Sequence, residues 1–165
     1  MKTASRLLTV LVALVFAFAM GACAQKKTAT ETTTPEATNA DISSDLADSD
    51  SGKAMGLETV HYAYDSSVLD GSAKSTLKHN ASILKDKTNL KVQIEGHCDE
   101  RGGIQYNIAL GERRANAAKA FMVDQGVGAD RVSTISYGKE KPVDQGHDDS
   151  AWSKNRRANF RITEK

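Results

Sequence analysis

From Ala24 to about residue 56 the chain offers almost nothing to bury, and that stretch confines any folded core to residues 57–165. The segment TATETTTPEATNADISSD has no sustained apolar period, and Asp41, Asp45, Asp48 and Asp50 add like charge. Such a segment gains too little from burial to offset the entropy of ordering it, and is expected to stay flexible. About 33 residues of this kind reach at most about 110 Å when extended and nearer 30 Å as a relaxed coil. A domain on that leash explores a layer some distance from whatever holds its far end.

The stretch before it reads as an address. Lys2 and Arg6 supply a positive start, and the apolar run Leu7–Met20 is 14 residues long, short of the ~20 needed to span a bilayer. Small residues Ala19, Gly21 and Ala22 then lead to Cys23. This resembles a bacterial lipobox, with Met20 where Leu is usual; residues 1–22 are then a lipoprotein signal peptide and Cys23 the lipidated residue. Two or three acyl chains, at about 0.8 kcal/mol per buried methylene, anchor almost permanently. By resemblance to enterobacterial lipoproteins, Ala24 rather than Asp after the cysteine implies export to the outer membrane. Residues 23–56 become a lipid-anchored flexible linker and 57–165 the folded domain, facing the periplasm.

Within 57–165 the periodicity changes. Thr59–Tyr64 (TVHYAY) alternates and is rich in strand formers. Asp70 or Ser72 can cap a helix carrying Ala73, Leu77, Ala81, Ile83 and Leu84. Lys91–His97 (KVQIEGH) is a second strand with Val92, Ile94 and Gly96 on one face. A loop with Gly102 and Gly103 leads into a long helix from Ile104 or Tyr106 to Gln125, its inward face drawn from Leu110, Ala117, Phe121 and Met122, with Gly126 ending it. Val132–Ser136 is a third strand, residues 138–155 a polar loop, and Ala158–Thr163 a last strand. The order β-α-β-α-β-β predicts an α/β (α+β) sandwich, two main helices packed on one mixed four-stranded sheet. Basic and acidic residues number 22 and 21, so no basic stripe argues for nucleic acid, and two cysteines exclude a disulfide framework.

Three segments are dense in polar residues: EGHCDERG (Glu95–Gly102), YNIALGERRAN (Tyr106–Asn116), and the pair SYGKEKP and GHDDSAWSKNRRA towards the end. Their sequence and spacing resemble the peptidoglycan-associated lipoproteins of the Tol–Pal system, within the OmpA-like domain superfamily. The resemblance covers about residues 58–163, and the lipobox and polar linker agree with it. It implies a non-catalytic domain that binds the meso-diaminopimelate of peptidoglycan stem peptides and ties the outer membrane to the wall, including at cell division. It implies a second partner too, the periplasmic β-propeller protein of the Tol system, competing for the same face. A pure protein–protein module with incidental wall binding is the alternative. A motor-stator or porin C-terminal domain is disfavoured, because only the short signal and tether precede the domain.

Asp99 lies just beyond a strand end and Arg114 one or two turns into the long helix. A carboxylate and a guanidinium held a few ångströms apart suit the two ends of an amino acid: Asp99 accepts from the ammonium and Arg114 clamps the carboxylate. On the residues alone, a structural Asp99–Arg114 salt bridge is the commoner arrangement, and the resemblance tips the balance to a ligand site. It also places Asn107 and Leu110 at contact positions, and Tyr64 and Asp65 at the first strand's end, where backbone N–H groups can take a carboxylate. Arg101, Glu112, Arg113 and Asn116 read as solvated or ion-paired surface, and Arg156 and Arg157 as packing and charge support. No cofactor is expected. The run His97, Cys98, Asp99, Glu100 alternates faces and lacks metal-ligand spacing. Glu95, Asp99 and Glu100 imitate paired glycosidase carboxylates without a suggested nucleophile–base pair, so no enzyme is expected.

Overall fold

A computed structural model describes residues 47–165. The signal peptide, Cys23 and the tether up to residue 46 lie outside the described residues. The elements are β1 (Val60–His61), α1 (Gly71–Asp86), β2 (Lys91–His97), α2 (Ile104–Asp124), a 3-10 turn (Ala129–Arg131), β3 (Val132–Gly138), α3 (Asp149–Asn155) and β4 (Arg157–Glu164). The sheet runs β1-β4-β2-β3, with β2 and β3 parallel and β4 antiparallel to both β1 and β2. A parallel pair needs a long crossover, and α2 supplies it.

Helices α1 and α2 pack on one side of the sheet. Val60, Val92, Ile94, Val132, Phe160 and Ile162 meet Leu77, Leu84, Ala115, Ala118 and Met122 in a single core, where full burial of each larger side chain contributes about 1.5–3 kcal/mol. Asp70 starts α1 as its cap, accepting from the Ala73 N–H at 2.8 Å. Arg131 closes the far end of α1, donating to the carbonyls of Leu84, Lys87 and Leu90. The inward face of α2 differs from its expected set: Ala115 and Ala118 are buried while Ala117 and Phe121 are half-buried, because α2 presents Gly111, Arg114 and Ala118 to the sheet. Ile83, expected in the core, is likewise only partly buried.

One contact sets the position of α2. A Cβ on Gly96 would collide with the Gly111 carbonyl oxygen, and one on Gly111 would meet the Ser136 hydroxyl. Two glycines thus let helix backbone lie directly on strand backbone. That brings Asn107, Leu110 and Arg114 over the C-terminal end of β2.

Three expectations are corrected. The first strand is short: only Val60 and His61 join the ladder, Tyr62 adds one bond to Arg156, and Asp65 then takes a left-handed conformation at φ 51° that turns the chain away. The 138–155 loop contains α3, set by Asp148 accepting from Ala151 N–H at 2.8 Å; with only Ala151 and Asn155 buried it has too few apolar positions to show a period. The folded body also begins earlier than residue 57. Because β1 is so short, it leaves the far half of β4 unpaired, and residues 47–49 take that edge through Ser49 N–H to Phe160 O and Ile162 N–H to Ala47 O. Ala54 and Leu57 enter the core, and Asp50 pairs with the buried Arg157 at 2.7 Å.

Candidate functional site

A cavity of about 110 Å³ opens at the C-terminal end of β2, between the β1–α1 loop, the loop after β2 and the first half of α2. Tyr64, Asp65, Asp99, Asn107, Leu110 and Arg114 all line it, joined by Cys98, Arg101, Gly102 and Tyr106. The six residues singled out from the sequence therefore line one cavity, although they come from three separate segments.

Arg114 is fully buried, at 0% exposure. Its Nε donates to Ser66 O at 2.8 Å, Nη1 to His97 O at 2.8 Å and Nη2 to Ala63 O at 3.1 Å. It thereby pins the end of β2 and the β1–α1 loop to α2. Beneath it the Tyr62 ring lies 5.2 Å from the guanidinium carbon, and the Tyr62 hydroxyl donates to Arg114 O at 2.8 Å. Among the described residues no carboxylate lies within ion-pairing distance of Arg114. Burial lowers its affinity for the proton, the nearby Cys98, Tyr62 and Asp99 acting against that. Two of the five guanidinium N–H groups remain uncommitted to these backbone carbonyls.

Asp99 is also buried, but it is not free to face Arg114. Arg101 holds it through Nη2 to Oδ2 at 2.7 Å, Nε to Oδ1 at 3.2 Å and backbone N–H to Oδ1 at 3.1 Å, and Arg156 adds Nη1 to Oδ2 at 3.3 Å. Burial pushes the Asp99 carboxyl up, and the Arg101 side-chain and backbone hydrogen bonds and charge more than reverse it, leaving it below the usual carboxylate range. The expected free-ended Asp99–Arg114 pair is thus replaced by an Arg101–Asp99–Arg156 cluster beside a carboxylate-free Arg114. Arg101, read from the sequence as surface, is a wall of the cavity.

At the mouth the Tyr106 hydroxyl donates to Asp65 Oδ1, tying the left-handed turn to α2. Asn107 donates to Arg101 O at 2.8 Å and fixes the loop after β2. Cys98 donates its thiol proton to Asn107 O at 3.3 Å, and burial pushes that thiol up, so it stays protonated and inert. His97, Cys98, Asp99 and Glu100 go to separate partners: the Tyr137 ring, the cavity floor, the two arginines, and His147 with Trp152. Arg101 and Tyr106 line the cavity without standing among the six, because long-range packing brings them there. The ERG turn and the aromatic residue at 106 are the sequence signals for them.

The OmpA family pattern matches residues 61–156, more than half of the chain. A peptidoglycan-associated lipoprotein of Mesorhizobium japonicum is 40% identical over 149 residues, covering 90% of this chain and 88% of that one. The chain belongs to the OmpA family, among the peptidoglycan-associated lipoproteins. A second relative of the same name, from Pasteurella multocida, is 48% identical over 100 residues, covering 61% of this chain and 67% of its own length. The crystal structure of the peptidoglycan-associated lipoprotein from Burkholderia pseudomallei superimposes with a TM-score of 0.61 at 38% identity, over 63% of this chain and 88% of that one. The C-terminal domain of Helicobacter pylori MotB, 18% identical with a TM-score of 0.60 over 64% of this chain and 84% of that one, shares the fold alone.

Proposed function

We propose that this peptidoglycan-associated lipoprotein is a non-catalytic tether, lipid-anchored at Cys23, whose cavity seats the free amino-acid end of meso-diaminopimelate in the peptidoglycan stem peptide. The observation that carries the reading is Arg114, a fully buried guanidinium lining a cavity with no carboxylate partner among the described residues. A buried unpaired charge is costly, by several kcal/mol, unless something of opposite sign completes it. The cavity lining carries two guanidiniums, Arg101 and Arg114, and two carboxylates, Asp65 and Asp99; Arg101 and Asp99 already pair with each other, which leaves Arg114 as the cation without a carboxylate.

A ligand carboxylate reaching the spare N–H groups of Arg114 supplies that charge, and the strained turn at Asp65 offers backbone N–H groups of the kind that bind anions. Leu110 faces the aliphatic stem behind the head group. The small volume fits the end of one side chain and not a sugar-peptide unit. Affinity per site is then modest, and many copies on wall and membrane supply the hold. The role in joining outer membrane to wall and in constriction at division follows from the family's wall association, supported by the lipobox.

The test is pull-down with purified sacculi. Wild-type protein sediments with the wall, whereas Arg114→Lys, which keeps the charge but loses the fork, and Asp99→Asn sediment far less while remaining folded by circular dichroism. Undiminished sedimentation of both variants overturns the seat. Metabolic labelling with a clickable fatty acid tests the anchor, with label expected on wild type and lost in Cys23→Ala.

A second reading has its own observation. Tyr64 and Tyr106 stand largely exposed on the cavity rim, with Val68 and Ile104 exposed on the same loop and helix start, an apolar ring of the kind proteins use for docking. A β-propeller partner of the Tol system covering this rim would compete with the wall, and independent binding of the two in a titration would remove this reading.

A further inference from the structure

Asp99, the more buried of the two acids of the cavity, has no vacancy. A carboxylate offers about four lone-pair positions, and Asp99 fills them: Oδ1 accepts the Arg101 backbone N–H and Nε, and Oδ2 accepts Arg101 Nη2 and Arg156 Nη1. An incoming ammonium finds an acceptor at Asp99 only if one donor leaves. The two arginines are not equally free to go. Arg156 has a side chain 15% exposed and is tied by its Nε to Tyr62 O at 3.1 Å, while Arg101 is 31% exposed.

Arg101 is also poised rather than packed. Its guanidinium carbon lies 4.0 Å from the Tyr64 ring centroid and 4.1 Å from that of Trp152. Tyr64 follows β1 and Trp152 belongs to α3, so two elements that share no ladder form a sleeve around one cation. Glu100 holds the second ring in place, accepting the Trp152 indole N–H at 2.9 Å, and Lys139 braces the loop through Glu100 O and Gly102 O. Cation–ring contacts of this sort are worth about as much as one ordinary hydrogen bond, enough to hold a side chain and little enough to release it.

We infer that Arg101 is a latch that occupies Asp99 in place of the ligand's ammonium, and that an amino-acid end binds fully only by exchanging its ammonium for the Arg101 guanidinium. The inference rests on the proposed function and deepens it, because it makes Arg101 the residue that distinguishes a zwitterionic end from a plain carboxylate. A carboxylate alone reaches Arg114 and leaves the latch closed. A zwitterion opens it, and the freed guanidinium moves out from between Tyr64 and Trp152.

Trp152 is the only tryptophan of the chain, so its emission reports on Arg101. The full chain is titrated with meso-diaminopimelate and, separately, with pimelate, which has the same two carboxylates and no amine, following heat by calorimetry and Trp152 by fluorescence. With wild type, diaminopimelate binds and changes the emission, while pimelate leaves the emission unchanged. Arg101→Met removes the competitor, so diaminopimelate binds roughly tenfold tighter relative to pimelate and the emission no longer responds. Arg101→Lys, which can still cap Asp99, returns the affinity ratio towards wild type. Diaminopimelate binding with unmoved Trp152 emission, or weaker diaminopimelate binding by Arg101→Met than by wild type, overturns the latch alone. Failure of wild type to bind either compound overturns the seat and the latch together.

Discussion

Replacing Arg114 by methionine separates the two tasks assigned to that side chain. Methionine keeps most of the aliphatic packing, but it strands the carbonyls of Ser66, His97 and Ala63, which now accept from the guanidinium. Three buried acceptors left unsatisfied cost about 1–3 kcal/mol each, and relief of the buried charge offsets part of that, for a net loss of roughly 2–4 kcal/mol. At about 4 °C per kcal/mol for a domain of this size, the melting temperature falls by roughly 8–16 °C. Urea denaturation measures the first task. The second shows as ligand-induced stabilisation, which for wild type at a hundredfold excess over Kd amounts to ~2.7 kcal/mol and for Arg114→Met is absent. An unchanged urea midpoint refutes the role of Arg114 as the hub of three segments. Full ligand-induced stabilisation of the variant refutes its role as the anion seat.

The remaining predictions concern the fold and its response to acid. A chain beginning at residue 57 is less stable than one beginning at residue 47 by about 3–5 kcal/mol, because it strands Arg157 without Asp50; equal urea midpoints would return residues 47–56 to the linker. Gly96→Ala drives a Cβ into the Gly111 carbonyl and costs at least the ~1–3 kcal/mol of an overpacked core, with sacculus binding falling as α2 is pushed off β2. His97 is buried beside Glu95, Arg157 and Asp50, and burial lowers its pKa, with Glu95 acting against that. The unfolded chain therefore takes up the proton first, so stability is complete above the ordinary histidine value of about 6.5 and declines as pH falls below it towards the folded value. His97→Gln flattens urea stability across that window, and an unchanged slope would place the acid sensitivity elsewhere.

The parts of this molecule that show in the sequence are those governed by local rules. The alternation of Val92, Ile94 and Gly96, the Asp70 cap and the Gly126 stop each act within a few residues, and β2, α1 and α2 fall where those signals put them. Asp99 and Arg114 show as a candidate pair from their placement at a strand end and on a helix, but the other four residues rest on likeness to a family, since nothing local announces that Tyr64 and Arg114 line one cavity. What was hidden depends on distant partners. Residues 47–49 are ordered by the unpaired edge of β4, more than a hundred positions away in sequence. Arg101 resembles any arginine on a polar turn until Tyr64, Asp99 and Trp152 close around it. The short helix α3, with its two buried residues, carries no period for a reader to find.

An NMR titration of residues 47–165 with a diaminopimelate-containing muropeptide addresses the seat most directly. The largest shifts should fall on the backbone at Tyr64 and Asp65, on the loop around Asp99, and on Asn107, Leu110 and the Arg114 guanidinium. Shifts gathered instead around residues 140–147, or a spectrum that the muropeptide does not move, would contradict the assignment of this cavity to the wall.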